Sequence, residues 1–493
     1  MPRSMTATDF YQLTMMQGYL KKNMLEKKAV FDLFYRKPPF GGSYAVACGM
    51  DSALDFIRNL EISLEDVEAL AEAGMEKDFC EWLRREKAGK KSLFEGAVWA
   101  VPEGSLVLPN EPVLRIEAPL YLAQVLETPL LNIVNYETLI ATKASRIVNS
   151  AKGRPIMEFG MRRARGIESS VRATRAAYVG GVSSTSNVLA WQDYRIPVSG
   201  TMSHAWVMAF PSELDAFRAY MEQAADNVVL LIDTYDTLES GLPNAIRVFA
   251  EMFGSGKFPK MFGIRIDSGD LADLSRKARQ ALDENGFGKA KIIVSNDLDE
   301  YIIESLLAQG AAVDIFGVGT KLVNAEGSTS LGGVYKLAEI DGMPRMKITG
   351  NPEKMTNPGK KQVWRVWGRE GGASGKDDGP LSFVADILAL EKEEYSPARA
   401  LHLDDPARPW TALTLEAGSY VLKPMLSRRD LSGKAPAEEA DPREGRKNLQ
   451  MEMERLRPQC KRLVNPETMR VDLSQKLARL KTELIGHFRP EKG

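Results

Sequence analysis

Histidine and cysteine are scarce in this chain: three of each among 493 residues. The cysteines, Cys48, Cys80 and Cys460, stand far apart and form no CxxC pair. That argues against a thiolate metal site and a disulfide framework, and it suits a reducing compartment. Long apolar runs are also missing, with no stretch of about 18 uninterrupted apolar residues. The opening MPRSMTATDFYQL has no apolar signal region, so a cytoplasmic location and no membrane contact are expected. Charge of one sign is absent too: 65 basic against 66 acidic residues leave a net charge of −1. Bulk electrostatics therefore give no case for a nucleic-acid partner. What is present is ordinary for a globular protein, 44% apolar and 27% charged. The length allows about two to four domains and a sizeable core.

Along the chain, Thr8 to Tyr19 reads as a short amphipathic helix capped by Thr8 or Asp9. A strand, AVFDLFYR, and a Pro/Gly turn, KPPFGGSYAVACG, follow. Residues 51 to 90 read as charged amphipathic helices, and AVWAVPEGSLVLPNEPVLRIEAP as short strands. Leu120 to Ser150 is helical again. The central third changes rhythm: PIMEFG, NVVLLIDTYD, MFGIRIDSGD, AKIIVSND and VDIFGVGT are apolar, β-branched runs separated by helix-like stretches. Such runs imply parallel strands covered on both faces, in a βα barrel or a doubly wound sheet; spacing alone does not choose. Each run ends in polar or small residues, as the active face of a barrel would. Residues 350 to 380 read as exposed hairpins and loops, and the last sixty or so as a solvated helical tail.

His204 lies in SGTMSHAW, between the strand-like RIPVSG and an apolar helix start, where an imidazole can be base, ligand or nucleophile. The plain alternative is a satisfied core histidine. Arg162, Arg163 and Arg165 follow the PIMEFG run; three arginines at a helix start oppose the helix dipole unless an anion is near. Arg265 interrupts an apolar strand, where an unpaired charge is costly, and strand alternation puts Asp267 on its face. Asp270 and Asp236 have capping as their alternative role. Asp233 can hold the imidazole of His204 in one tautomer. Ser295-Asn296-Asp297 and Gly317-Val318-Gly319-Thr320 are strand-to-helix turns whose N–H groups can cradle phosphate.

Eight ordered segments then carry a resemblance: TDFYQLTM, FYRKPPFGG, EFGMRRARG, VSGTMSHAW, LLIDTYDT, GIRIDSGDL, IIVSNDLDE and FGVGTKLV. The chain resembles the nicotinate phosphoribosyltransferase family from residue 6 to about 340, with a weaker match in RLVNPETMRVDLSQKLARLKTEL. The resemblance implies an α/β fold of the type II phosphoribosyltransferase kind. It comprises an N-terminal α/β domain (1–118), an irregular α/β barrel (119–345) and a C-terminal strand and helical extension (346–493). It also implies a homodimer with shared active sites. The implied reaction joins nicotinate to 5-phosphoribosyl-1-pyrophosphate, with Mg²⁺, and couples it to ATP through a phosphohistidine at His204, oriented by Asp233. Tyr11, from the neighbouring subunit, and Phe159 would enclose the pyridine ring, and Thr201 and Arg265 would meet the ring and its carboxylate. Arg36, Lys37, Arg162 and Arg163 would surround pyrophosphate, and Asp267 the ribose hydroxyls. Asn296, Gly317, Gly319 and Thr320 would hold the 5-phosphate. Met161 departs from the small polar residue often found there, and the zinc-binding cysteine pairs of some relatives are missing, so no structural zinc is expected. A nicotinamide-using enzyme of the same fold, a quinolinate phosphoribosyltransferase and a non-catalytic sensor are the rival readings.

Overall fold

The computed structural model describes residues 3–224, 226–368, 381–404, 412–431 and 441–488. Two compact units are present: Met1–Thr142 with Ser328–Gly493, and Lys143–Gly327. This differs from three consecutive segments, because late strands pair with early ones. Gly333–Ile340 lies antiparallel to Lys28–Tyr35, and Ser427–Arg429 to Ala97–Ala100.

In the Lys143–Gly327 unit the five apolar runs form the strands Ile156–Glu158, Asn227–Leu231, Met261–Ile266, Lys291–Val294 and Ile315–Val318. With the short Ser184–Thr185 they make one parallel sheet. Four run in chain order from Asn227–Leu231 to Ile315–Val318, followed by Ile156–Glu158 and then Ser184–Thr185. The helices Leu242–Gly254, Leu271–Glu284 and Glu300–Ala308 connect them, which is why the strands are apolar on both faces. Their start signals work as read: Asp270 accepts the N–H groups of Ala272 and Asp273 at 3.1 and 3.0 Å. Asp236 does the same for Leu238 and Glu239 at 3.0 and 2.7 Å, capping the Thr237–Gly241 turn that leads into Leu242–Gly254. Each cap stabilises by about 1 kcal/mol. The sheet is curled, and among the described residues its ladder is open between Ser184–Thr185 and Asn227–Leu231. It is a half-barrel. RIPVSG is not a strand: only Val198 makes a single bridge, to Thr185.

The other unit is built on a six-stranded antiparallel sheet with Lys28–Tyr35 and Leu114–Pro119 near its centre. Seven of the eight residues of Lys28–Tyr35 are buried, Asp32 among them, and Asp32 is paired with the Lys361 ammonium at 2.7 Å. The helix Phe10–Lys21 starts at Asp9, but neither Asp9 nor Thr8 caps it. The Asp9 carboxylate accepts instead from Thr128 Oγ1 at 2.7 Å, and Thr8 donates to the Val125 carbonyl at 3.0 Å.

The C-terminal part is strand and helix as expected, and Lys361–Gly368 pairs antiparallel with the next strand, but two finer readings change. Within 350–380, Lys361–Gly368 is an interior strand, flanked by Tyr420–Pro424 and Ser382–Leu390; residues 369–380 lie outside the described residues. Its alternation of Val, Trp and Arg is a strand pattern that neighbouring Gly and Lys obscure. The tail also adds a strand, Arg470–Leu473, parallel to Ser382–Leu390. Its helix Pro442–Arg455 brings Glu452 to Arg365. Arg365 is fully buried, directly across the ladder from Asp386, and forks onto both of its oxygens at 3.0 and 2.7 Å.

Glu111 is buried beside this cluster; burial, and next the Asp386 charge, push its carboxyl well above the usual carboxylate range. The folded chain then keeps a proton that an unfolded glutamate loses. Stability from this group is full below the ordinary glutamate pKa and is lost as pH rises towards the folded value. Glu111→Gln removes that dependence. Denaturant unfolding at pH 5 and pH 8 should show the variant gaining at least about 1 kcal/mol on the wild type at the higher pH. Equal differences at both pH values would contradict it.

Candidate active site

The carboxyl ends of the parallel strands open into a hollow of about 540 Å³, within the size range of small-ligand sites. Five of the six strand ends contribute lining residues, Asn227–Leu231 being the exception, because the βα connections converge there. Phe159, Arg162 and Arg163 follow Ile156–Glu158, and Thr201 and His204 come from the segment after Ser184–Thr185. Arg265 and Asp267 end Met261–Ile266. Asn296 follows Lys291–Val294, and Gly317, Gly319 and Thr320 close the set.

Arg265 is held as a fork. Its Nη1 donates to Thr201 Oγ1 at 2.5 Å, its Nε to Ser295 Oγ at 3.2 Å, and its Nη2 lies 3.5 Å from Asp267 Oδ2. Ser295 donates in turn to Asp267 Oδ1. The Arg–Asp pair expected from strand alternation is therefore present, with a hydroxyl between the partners. The pair satisfies a charge that its strand would otherwise leave unpaired, and Arg265 lines the hollow.

His204 is the first residue of a short helix, His204–Met208, and its side chain is 40% exposed. Trp206 anchors the segment by donating to the Ala216 carbonyl at 3.0 Å and by meeting the Phe210 ring at a tilt and the Tyr220 ring edge-on. His204 Nδ1 meets Thr234 Oγ1 at 3.1 Å, and Nε2 lies 3.8 Å from Asp267 Oδ2. Asp233 does not orient the ring. Its Oδ2 accepts from the Asp267 N–H at 2.9 Å and from Ser268 Oγ at 2.6 Å. Asp233 and Thr234 lie past the strand's end, and Thr234, in the bend that follows, meets the imidazole instead.

The phosphate-type turns have unusual backbones. Asn296 and Asp297 both take positive φ, 106° and 38°, a cost of order 1 kcal/mol or more each that Asn and Asp tolerate best. Gly317 must lack a side chain, since a Cβ there would lie 2.7 Å from the Phe159 ring. The helix after Ser295–Asp297 begins only at Glu300, capped by Asp299, and the one after Gly319 spans Thr320–Val323. The arginines do not open a helix: Met161–Arg163 is a 3₁₀ turn, and the helix starts at Ile167.

Tyr11, Arg36 and Lys37 belong to the other unit. Tyr11 is 48% exposed, in a separate hollow with Glu127, Asn132 and Ser330. The Arg36 guanidinium lies 5.8 Å from the Phe34 ring, and Lys37 Nζ is 3.3 Å from Glu353. Sequence reasoning passed over Thr234 and read Ser295 only for the backbone of the 295–297 turn, not as a side-chain partner of Arg265 and Asp267. Both stand next to a singled-out residue at a strand end, and that adjacency was the only available signal.

Comparison with known proteins agrees with this geometry. Family models for the N-terminal domain, the family proper and the C-terminal domain of nicotinate phosphoribosyltransferase match residues 6–135, 155–370 and 360–481. Nicotinate phosphoribosyltransferase of Bacillus subtilis is 44% identical over 404 residues, 81% of this chain and 79% of that protein. The human protein of the same name is 32% identical, covering 98% of this chain and 97% of its own. The crystal structure of human nicotinic acid phosphoribosyltransferase superposes with a TM-score of 0.79 at 30% identity, over 97% and 99% of the two chains. A nicotinate-nucleotide pyrophosphorylase from Pyrococcus furiosus, at 22% identity and a TM-score of 0.65, shares the fold. Three consecutive family models, a relative this similar over most of both chains, and the forked arginine beside an exposed histidine converge: the chain belongs to the nicotinate phosphoribosyltransferase family.

Proposed function

We propose that this protein transfers the phosphoribosyl group of 5-phosphoribosyl-1-pyrophosphate to the ring nitrogen of nicotinate, forming nicotinate mononucleotide and pyrophosphate. ATP is consumed through phosphorylation of His204. The observation that carries the reading is the Arg265 fork, braced by Thr201, Ser295 and Asp267 in the hollow that His204 lines. A guanidinium edge suits a carboxylate bidentately. This favours nicotinate over nicotinamide, whose amide also needs an acceptor.

The pyridine nitrogen attacks C1 of the sugar as the bond to pyrophosphate breaks, so alignment matters and no base is required. Phe159 offers its ring to the pyridine by offset stacking. Asp267 accepts from the ribose hydroxyls, and Asn296, Gly317, Gly319 and Thr320 line the part suited to the 5-phosphate. Arg162 and Arg163 are exposed cations for the departing pyrophosphate. Tyr11, Arg36 and Lys37 keep their assigned roles, in a homodimer, on the family resemblance alone.

A divalent cation fits the donors present: Asp267 and Asp297 line the hollow, and Asp233 Oδ1 is buried without a hydrogen-bond partner among the described residues. These all-oxygen ligands suit Mg²⁺, which when bound would neutralise charge developing on pyrophosphate. His204 takes the γ-phosphoryl group of ATP, releasing ADP, and water later returns it as phosphate. Thr234 holds the ring in place for both steps. A cytoplasmic location suits these substrates, and among the described residues no helix is long and apolar enough to cross a membrane.

The direct test supplies nicotinate, phosphoribosyl pyrophosphate and Mg²⁺ with and without ATP, and follows nicotinate mononucleotide and ADP together. ATP-stimulated product with matching ADP is expected. Product from nicotinamide but not nicotinate would move the assignment to the amide, and ligand binding without turnover would indicate a sensor.

A further inference from the structure

We propose that Glu158, which has no part in the roles above, is a positioning residue whose buried carboxylate fastens the turn carrying Phe159, Arg162 and Arg163. The inference rests on reading that turn as the nicotinate- and pyrophosphate-binding segment.

Glu158 is fully buried at the end of Ile156–Glu158, pointing away from the hollow that Phe159 faces. One carboxylate oxygen accepts the Gly160 N–H. The other accepts from Thr174 Oγ1 at 2.9 Å and from Thr185 Oγ1 at 2.6 Å. Thr174 sits on the helix Ile167–Val179 and Thr185 on the edge strand. A single side chain thus joins the arginine turn, the helix after it and the neighbouring strand.

The direction of these bonds is set from behind. Asn187 donates its N–H to Thr185 Oγ1 at 2.9 Å and its Nδ2 to Thr174 Oγ1 at 3.2 Å. Each threonine oxygen already accepts, so its own proton is free for Glu158. Three donors therefore converge on one carboxylate, and among the described residues no cation pairs with it. Burial raises its carboxyl pKa, and the donors from Thr185, Gly160 and Thr174 offset only part of that rise. A protonated carboxyl would turn a donor towards groups that already donate. An amide would offer one accepting oxygen where three donors arrive. The charged form is the one that fits.

The turn has few other fastenings. Gly160 leaves no room for a side chain, since a Cβ there would lie 2.2 Å from Val323 and 2.8 Å from Glu158 Oε1. Phe159 N–H is held by the Val318 carbonyl at 2.8 Å, and Asn324 holds the Arg163 carbonyl at 3.1 Å. Between those points, among the described residues, the turn's own N–H bonds from Arg163 and Ala164 to the Gly160 carbonyl close it on itself, and Glu158 ties it to the rest of the unit at the residue just before Met161–Arg163. Arg162 and Arg163 are solvent-exposed, so their aim depends on that grip.

Steady-state kinetics of the full-length enzyme provide the test. Glu158→Gln should raise KM for phosphoribosyl pyrophosphate about tenfold, the scale of one hydrogen bond to a charged group. KM for nicotinate should move less, and kcat should stay within about threefold. Thr185→Val should show the same split, Thr185→Ser should restore wild-type values, and the Glu158→Gln/Thr185→Val pair should be less than additive. Thermal unfolding separates this from misfolding; if Glu158→Gln does not fold, the two Thr185 variants decide. A folded Glu158→Gln enzyme with unchanged KM for phosphoribosyl pyrophosphate overturns the proposal and leaves the proposed function standing. A wild-type enzyme that makes no nicotinate mononucleotide overturns the reading beneath it.

Discussion

His204→Ala is expected to abolish ATP coupling completely, leaving only slow, ATP-independent formation of nicotinate mononucleotide. The reason is the lack of any substitute. His402 and His487 belong to the other unit, with their rings engaged by Thr414 and Phe488. His204 alone combines exposure to the hollow with a fixed ring, held by Thr234 at Nδ1. Phosphoryl transfer from labelled ATP should give acid-labile label on the wild type and none on the variant, and ADP release should stop tracking product. Transfer itself should survive, because pyridine attack at C1 needs no proton acceptor. Full one-to-one ADP release by the alanine variant would remove His204 from the mechanism.

Arg265→Ala should lower kcat/KM for nicotinate by about a thousandfold, equivalent to about 4 kcal/mol. The side chain is only 14% exposed, and its loss strips Asp267 of its cation while Thr201 and Ser295 lose their shared partner. Leaving a half-buried carboxylate unpaired accounts for much of the effect. Arg265→Lys should recover little, since an ammonium cannot span Thr201 and Ser295 together as the guanidinium does. The loss should fall mainly on nicotinate, with phosphoribosyl pyrophosphate affinity changing less. An alanine variant within tenfold of wild type would assign carboxylate recognition elsewhere.

Much of this site was legible from residues because its parts sit at strand ends, where one apolar run and the polar residues after it mark both the strand and its exit. Arg265 and Asp267 follow from alternation along one strand, and Asp270 and Asp236 are caps within three residues of what they cap. These relations are local. The errors came where a relation was not. RIPVSG has a strand-like composition but finds one bridge, and the Lys361–Gly368 strand was hidden by the Gly and Lys around it. Asp233 was paired with His204, yet its carboxylate turns to the Asp267 N–H and Ser268, and Thr234 in the bend after it meets the ring. No spacing rule reveals Ser295 between Arg265 and Asp267, because that contact joins two strands that are distant in sequence.

The sequence by itself determined the βα rhythm, the caps, the glycine turns and the identity of the histidine and arginines, since each depends on chemistry within a few residues. It also determined the family, through eight ordered segments. Only the tertiary structure decided which late strands return to the first sheet, that Arg365 lies across from Asp386 and meets Glu452, and that Glu158 gathers Gly160, Thr174 and Thr185. Those pairings join segments far apart along the chain or aim side chains in particular directions. Burial then makes their matching strict, because a buried charge must find its partners wherever the fold brings them.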